Sequence, residues 1–196
     1  MASKDMSPEE FQRLLDATDN QRDKLIFRIL AGTGLRSREL TTLRRRNIDL
    51  EKQIIVLENY NTKSHESRKV VIPQSLVPDL AAWIDDLDPD RYVFPGTQVR
   101  SGKLQPITTA RLRQIFYKAA ATAGIQRTKG KNADGQTKHD YSLHSLRHYH
   151  AVQSLKNHVP INSVQRNLGH SSLATTQIYL NKSIEERVKD YDDFEI

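Results

Sequence analysis

The chain has 196 residues, the length expected of one domain able to bury a sizeable core, with 37% hydrophobic and 28% charged residues. No window approaches the roughly 18 consecutive apolar residues of a membrane span, the N-terminus has no charged-then-apolar leader, and cysteine is absent; a membrane role and a disulfide framework are excluded, and a cytoplasmic location is the expectation. The net charge of +6 favours a polyanionic partner, and because residues 182–196 are net acidic the rest of the chain is more basic still, so the tail is expected to meet protein and the body nucleic acid.

In chain order, Ser7, Pro8 and Glu10 form a capping box that opens a first helix, whose apolar face continues through Leu14 and Leu15. "LIFRILAGTGL" reads as a buried helix stopped at Gly32 and Gly34, and "SRELTTLRRR" starts the next with Leu40 and Leu43 on one face. Arg36 therefore falls at a tight junction between two helices. "QIIVLEN" and "RKVVIP" are β-branched strands joined by "YNTKSHES", and "YVFP" is a third short strand or extended segment. Helices follow at "SLVPDLAAWIDDL" and "TTARLRQIFYKAAATAG", the second stopped by Gly124. Residues 126–141 have many Gly, Asn and Lys and no apolar periodicity, which reads as a mobile basic loop. Short helices are expected at 143–157, 160–169 and 174–180, and a capping box from Ser183 to Glu186 begins a last one. The fold class is mainly α with a small antiparallel β-sheet (α+β), without internal repeats or an interdomain linker.

The segment "HDYSLHSLRHYHAVQSL" gathers His139, His144, His148 and His150 around Arg147. The i,i+4 spacing of His144 and His148 could bring two imidazoles to a metal. No Glu follows His144, no Cys is available, and Arg147 would set a fixed cation beside the ion, so no metal is expected. Histidines that fill helical positions and an anion-binding centre completed from elsewhere remain as readings of the segment alone.

Other motifs decide between them. "TGLRSREL" around Arg36, "HSLRH" around His144 and Arg147, "LGHSS" around His170 and "TTQIYL" around Tyr179 together resemble the tyrosine recombinase, or phage integrase, family. Each motif alone is weak, but the ordered set is highly specific and covers nearly the whole chain. The resemblance implies a catalytic domain over residues 7–180 with an acidic C-terminal tail at 181–196, and no N-terminal DNA-clamp domain, as in an excised fragment or a minimal recombinase. It also implies that Tyr149 and His150 stand where the family more often has a small polar residue and Phe.

The chemistry is consistent with these residue types. Cutting a phosphodiester without a metal or other cofactor requires cationic donors on the non-bridging oxygens, an in-line nucleophile and a proton for the leaving oxygen. Arg36 and Arg147 can form a guanidinium clamp that stays charged at every relevant pH, and Glu39 can pair with Arg36. By resemblance, Tyr179 is the nucleophile, His144 a general base or phosphate donor, His170 a second donor, Glu39 an active-site support and Lys63 the proton donor at a hairpin tip, with Lys69 as its competitor. A phenol titrates near pH 10, so its proton must be drawn off by a neighbouring imidazole or the arginine field. Arg44, Arg45 and Arg46, then Arg111 and Arg113, then Arg127, Lys129, Lys131 and Lys138 are candidates for DNA phosphate contacts, which fix position without reading sequence.

The implied partners are double-stranded DNA attachment sites and further copies of the chain, four on two sites, joined through the tail. A type IB topoisomerase shares the chemistry but relaxes supercoils as a monomer, and a non-catalytic regulator on the same fold would bind DNA without needing Tyr179.

Overall fold

The computed structural model describes residues 5–58, 67–126, 128–131 and 137–169. The first helix, α1 (Pro8–Asp16), forms with the capping box read from its sequence: Ser7 Oγ accepts from the Glu10 amide at 3.2 Å and the Glu10 carboxylate accepts from the Ser7 amide at 3.0 Å. The second, α2 (Gln21–Thr33), places Leu25, Ile26, Phe27, Ile29 and Leu30 in the core, which makes it the buried central helix. It ends at Gly34, whose φ of 68° is the left-handed conformation that favours glycine.

The next helix, α3 (Ser37–Thr41), is shorter than its sequence suggested. The main chain beyond it is captured by residues 91–93: the Val93 amide donates to Leu43 and the Arg45 amide to Arg91, so Arg44 is extended and Arg45–Asn47 form a single 3-10 turn instead of continuing the α-helix. A three-stranded antiparallel sheet follows in the order β1 (Ile48–Asp49), β2 (Ile54–Leu57), β3 (Arg68–Val71), with Ile55 opposite both Ile48 and Val70. Its third strand is Ile48–Asp49, whereas "YVFP" runs extended beside Arg44 and buries Val93 and Phe94. Period-2 alternation puts Val70 in the core and leaves Lys69 and Val71 exposed.

After α4 (Val77–Ile84) the chain forms a hairpin that was not foreseen, β4 (Pro95–Arg100) paired with β5 (Lys103–Pro106). Helix α5 (Thr109–Thr122) is capped by Thr108, and Phe116 meets Phe27 edge-on at 5.7 Å. The supposed basic loop at 126–141 contains a ribbon, β6 (Thr128–Lys131) against β7 (Thr137–His139). Contacts between residues distant in sequence explain it: the Gln126 side-chain amide satisfies both main-chain groups of Tyr141, and the His139 ring lies 4.2 Å from that of Tyr117.

Tyr141 is buried with its hydroxyl donating to Glu10 at 2.7 Å, which ties this strip to the start of α1; burial and the Glu10 carboxylate push its phenol well above the usual range. The last two elements, α6 (Leu143–Lys156) and α7 (Ile161–Leu168), pack against α2 and β3. The expected helices at 174–180 and from Ser183 lie outside the described residues. Among the described residues no helix is long and apolar enough to cross a membrane.

Candidate active site

Helix C-termini carry unsatisfied carbonyls and a partial negative charge. Two such ends face each other here, those of α2 and α7, and α6 runs across both. Three consecutive carbonyls at the end of α7 each receive a different arginine. Arg68 Nη1 donates to Asn167, Arg147 Nη2 to Leu168 at 2.6 Å, and Arg36 Nη2 to Gly169 at 3.3 Å. Arg147 also donates through Nη1 to the Gly34 carbonyl at the end of α2, at 2.5 Å. Residues separated by 133 and 113 positions in sequence thus meet at one corner.

The chain geometry leaves little slack in this corner. A Cβ on Gly34 would lie 2.6 Å from His150 Cδ2 and from Leu168 Cδ2, and one on Gly169, itself at φ 65°, would lie 2.7 Å from Arg68 Nε. Both glycines therefore combine a left-handed conformation with close approach of another side chain.

Glu39 is buried between two guanidiniums. Its carboxylate accepts from Arg36 Nη1 at 2.9 Å, from the Arg36 main-chain amide at 2.7 Å and from Arg68 Nη2 at 2.7 Å. Arg68 is largely buried, which pulls its guanidinium below the usual range, and Glu39 opposes that effect. Among the described residues three guanidiniums meet one carboxylate at the corner, an excess of positive charge that the two helix ends offset only in part. That balance suits a phosphodiester, whose transition state gathers negative charge on its non-bridging oxygens. Arg36 remains 34% exposed and can reach a ligand, whereas Arg147 is only 3% exposed and donates to carbonyls at two helix ends.

His144 is exposed in the first turn of α6, where Ser142 caps the helix. Desolvation by the surrounding protein, then the positive field of Arg147, His148 and Arg36, lower its pKa, so the imidazole is neutral at neutral pH and can accept a proton. The other histidines of the cluster serve structure. His148 pairs with Asp5, His139 packs on Tyr117, and His150 is buried beside Asn167. Among the described residues, no three His, Asp or Glu side chains are grouped to hold a metal ion.

Lys69 sits on the solvent face of β3, opposite the face that carries Arg68 toward Glu39. Lys63, His170, Tyr179 and Arg127 lie outside the described residues, as do the side chains of Lys129, Lys131 and Lys138 in β6 and β7. Arg111 and Arg113 are exposed at the start of α5. Arg44, Arg45 and Arg46 are engaged within the chain: Arg44 lies 4.3 Å over the Tyr92 ring, Arg45 donates to the Ile48 carbonyl, and Arg46 pairs with Asp90.

Two residues of the corner, Arg68 and Asn167, had no place in the reading of the sequence. Arg68 carried a signal, an arginine in register with the core residue Val70. Asn167 carried none.

Known proteins match this arrangement. The profile of the phage integrase family matches residues 4–186. The chain belongs to that family. Its relatives include the tyrosine recombinase XerA of Thermococcus onnurineus (strain NA1), 33% identical over 186 residues that cover 93% of this chain and 59% of the relative. The XerA of Pyrococcus furiosus is 32% identical over 180 residues, covering 90% of this chain and 56% of the relative. A crystal structure of a XerA recombinase superposes with a TM-score of 0.73 at 27% identity, over 96% of this chain and 62% of that one. The XerH recombinase bound to its difH substrate shares the fold, with a TM-score of 0.67 at 21% identity over 100% of this chain and 56% of that one. The chain spans under two thirds of the length of these relatives.

Proposed function

We propose that this chain is the catalytic domain of a site-specific tyrosine recombinase, which cuts and rejoins double-stranded DNA through a 3′-phosphotyrosyl intermediate. The observation that carries the reading is the corner itself: two guanidiniums, Arg36 and Arg147, brought to adjacent carbonyls of one helix end with net positive charge around them.

In this reading the Tyr179 phenolic oxygen attacks the scissile phosphorus. A P–O bond to tyrosine forms and the bond to the 5′ oxygen breaks. The phenolic proton passes to neutral His144, Lys63 gives a proton to the departing 5′ oxygen, and His170 donates with Arg36 and Arg147 to the non-bridging oxygens. The energy of the phosphodiester is kept in the tyrosyl link until a partner strand's 5′ hydroxyl reverses the step. XerH and the Tn1549 integrase are recorded in complex with DNA, which favours duplex DNA as the partner here. Four copies acting on two sites, with the acidic tail of each reaching its neighbour, complete the proposal.

The test is covalent trapping. The protein is incubated in EDTA with nicked duplexes recovered by binding from a randomised library, then denatured in SDS. An adduct that disappears in Tyr179→Phe supports the reading. Tight binding without an adduct favours a DNA-binding regulator, and supercoil relaxation without recombinant products favours a type IB topoisomerase.

A further inference from the structure

We infer that Asn167 is a positioning residue for the arginine clamp, acting through the last turn of α7; this inference rests on the recombinase reading above. One amide joins three elements at this point. Its Oδ1 accepts from the Val71 amide of β3 at 2.7 Å, and its Nδ2 donates to the Thr33 carbonyl at the end of α2 at 3.0 Å and faces His150 Nε2 of α6 at 3.2 Å. The Val71 amide can only donate, so the orientation of the Asn167 amide is determined by its neighbours. His150 then accepts through Nε2, in keeping with a neutral ring.

The consequence lies in the residues around Asn167. Its own carbonyl receives Arg68, and the carbonyls of the next two residues receive Arg147 and Arg36. A shift of Asn167 relative to α2 therefore moves the acceptors that aim both catalytic arginines, while Gly34 in the same turn holds the opposite acceptor of Arg147. Asn167 is half-buried, and its three contacts together allow one orientation of the amide; removing one of them leaves the groups it joined without that constraint. Asn167 touches no reacting atom in this account. It fixes the register between the α2 and α7 ends to the tolerance that the clamp needs, where a displacement of about 1 Å can cost about a hundredfold in rate.

The experiment compares single-turnover cleavage of a nicked duplex with cleavage of the same duplex carrying a methylphosphonate at the scissile position, in the full chain. The methylphosphonate lacks one ionised oxygen, so its cleavage depends less on correctly aimed guanidiniums. Asn167→Leu and Asn167→Asp are expected to lose about a hundredfold on the native phosphate, markedly less on the methylphosphonate, and to bind DNA within about threefold of the parent. His150→Phe removes one partner of the amide, and as the milder variant it shows the same split to a smaller degree; His150→Gln, which returns an acceptor near the Nε2 position, recovers most of the rate. Equal losses on both substrates, or no loss in a folded variant, would overturn the positioning role. A parent protein that forms no Tyr179-dependent adduct, or an Arg147→Ala variant as active as the parent, would instead overturn the recombinase reading beneath it.

Discussion

The corner between α2 and α7 and the strip at Arg44–Arg46 are both rich in arginine, yet they place it differently: the corner converges three guanidiniums on one helix end, and the strip spreads its three over the Tyr92 ring, two main-chain carbonyls and an ion pair with Asp90. At the corner, Arg147 rests on the carbonyls of Gly34 and Leu168, and Arg36 and Arg68 share the single carboxylate of Glu39. In the strip, Arg46 lies against Asp90 and Glu58, and Arg44 against the Tyr92 ring and hydroxyl. A helix end offsets the charge of a guanidinium only in part while it orients it, whereas a carboxylate brings a full opposite charge. The count of arginines is therefore a poor guide to where a phosphate is held, and the identity of their partners is a better one.

The comparison is broken most directly at Arg147. Arg147→Ala is expected to lower the rate of covalent adduct formation by about a thousandfold or more, measured by single-turnover cleavage, because it removes a preorganised donor to the developing charge. A smaller loss, about a hundredfold, is expected for His144→Gln. The parent rate should rise with pH through the lowered pKa of His144, below 6.5, and level off above it, because the neutral imidazole accepts the proton. A pH profile that retains this rise in His144→Gln would remove His144 from the role of base.

Stability effects sharpen the same contrast. Gly34→Ala is expected to cost about 2 kcal/mol or more in denaturant unfolding, from a strained left-handed residue and a Cβ with no room beside His150 and Leu168. His150 is pushed down to about 4 by burial, with Arg147 adding to the effect, against an ordinary value of 6.5. The unfolded chain therefore binds more protons than the folded one between these values, so stability is complete above about pH 6.5 and falls as pH drops toward 4. The linked loss is about 3 kcal/mol, and His150→Gln should flatten the pH dependence across that window. At the other end of the scale, Arg46→Ala should change unfolding stability by less than about 1 kcal/mol, because its ion pair is exposed.

The elements that local chemistry dictates were legible in the sequence. The Ser7–Glu10 capping box, the stop at Gly34 and the helix across His144 and Arg147 all rest on residues within one turn of each other. Arg36, Glu39, His144 and Arg147 were legible as a site because their types in order resemble a family. What escaped was set by long-range contact. The β6–β7 ribbon has no apolar alternation and is held by Gln126 and Tyr117, and the Arg44–Arg46 segment is kept from continuing α3 by main-chain bonds to residues 91–93. Asn167 was invisible for the same reason, since its three partners lie on three other elements.

The measurement that tests the central claim most directly is a crystal structure of the Tyr179→Phe variant bound to nicked site DNA. The account predicts the scissile phosphate at the corner, with guanidinium nitrogens of both Arg36 and Arg147 about 2.7–3.2 Å from its non-bridging oxygens while the Leu168 and Gly169 carbonyls still orient them. A scissile phosphate held instead at the Arg44–Arg46 strip, with the corner arginines bonded only to protein, would contradict it.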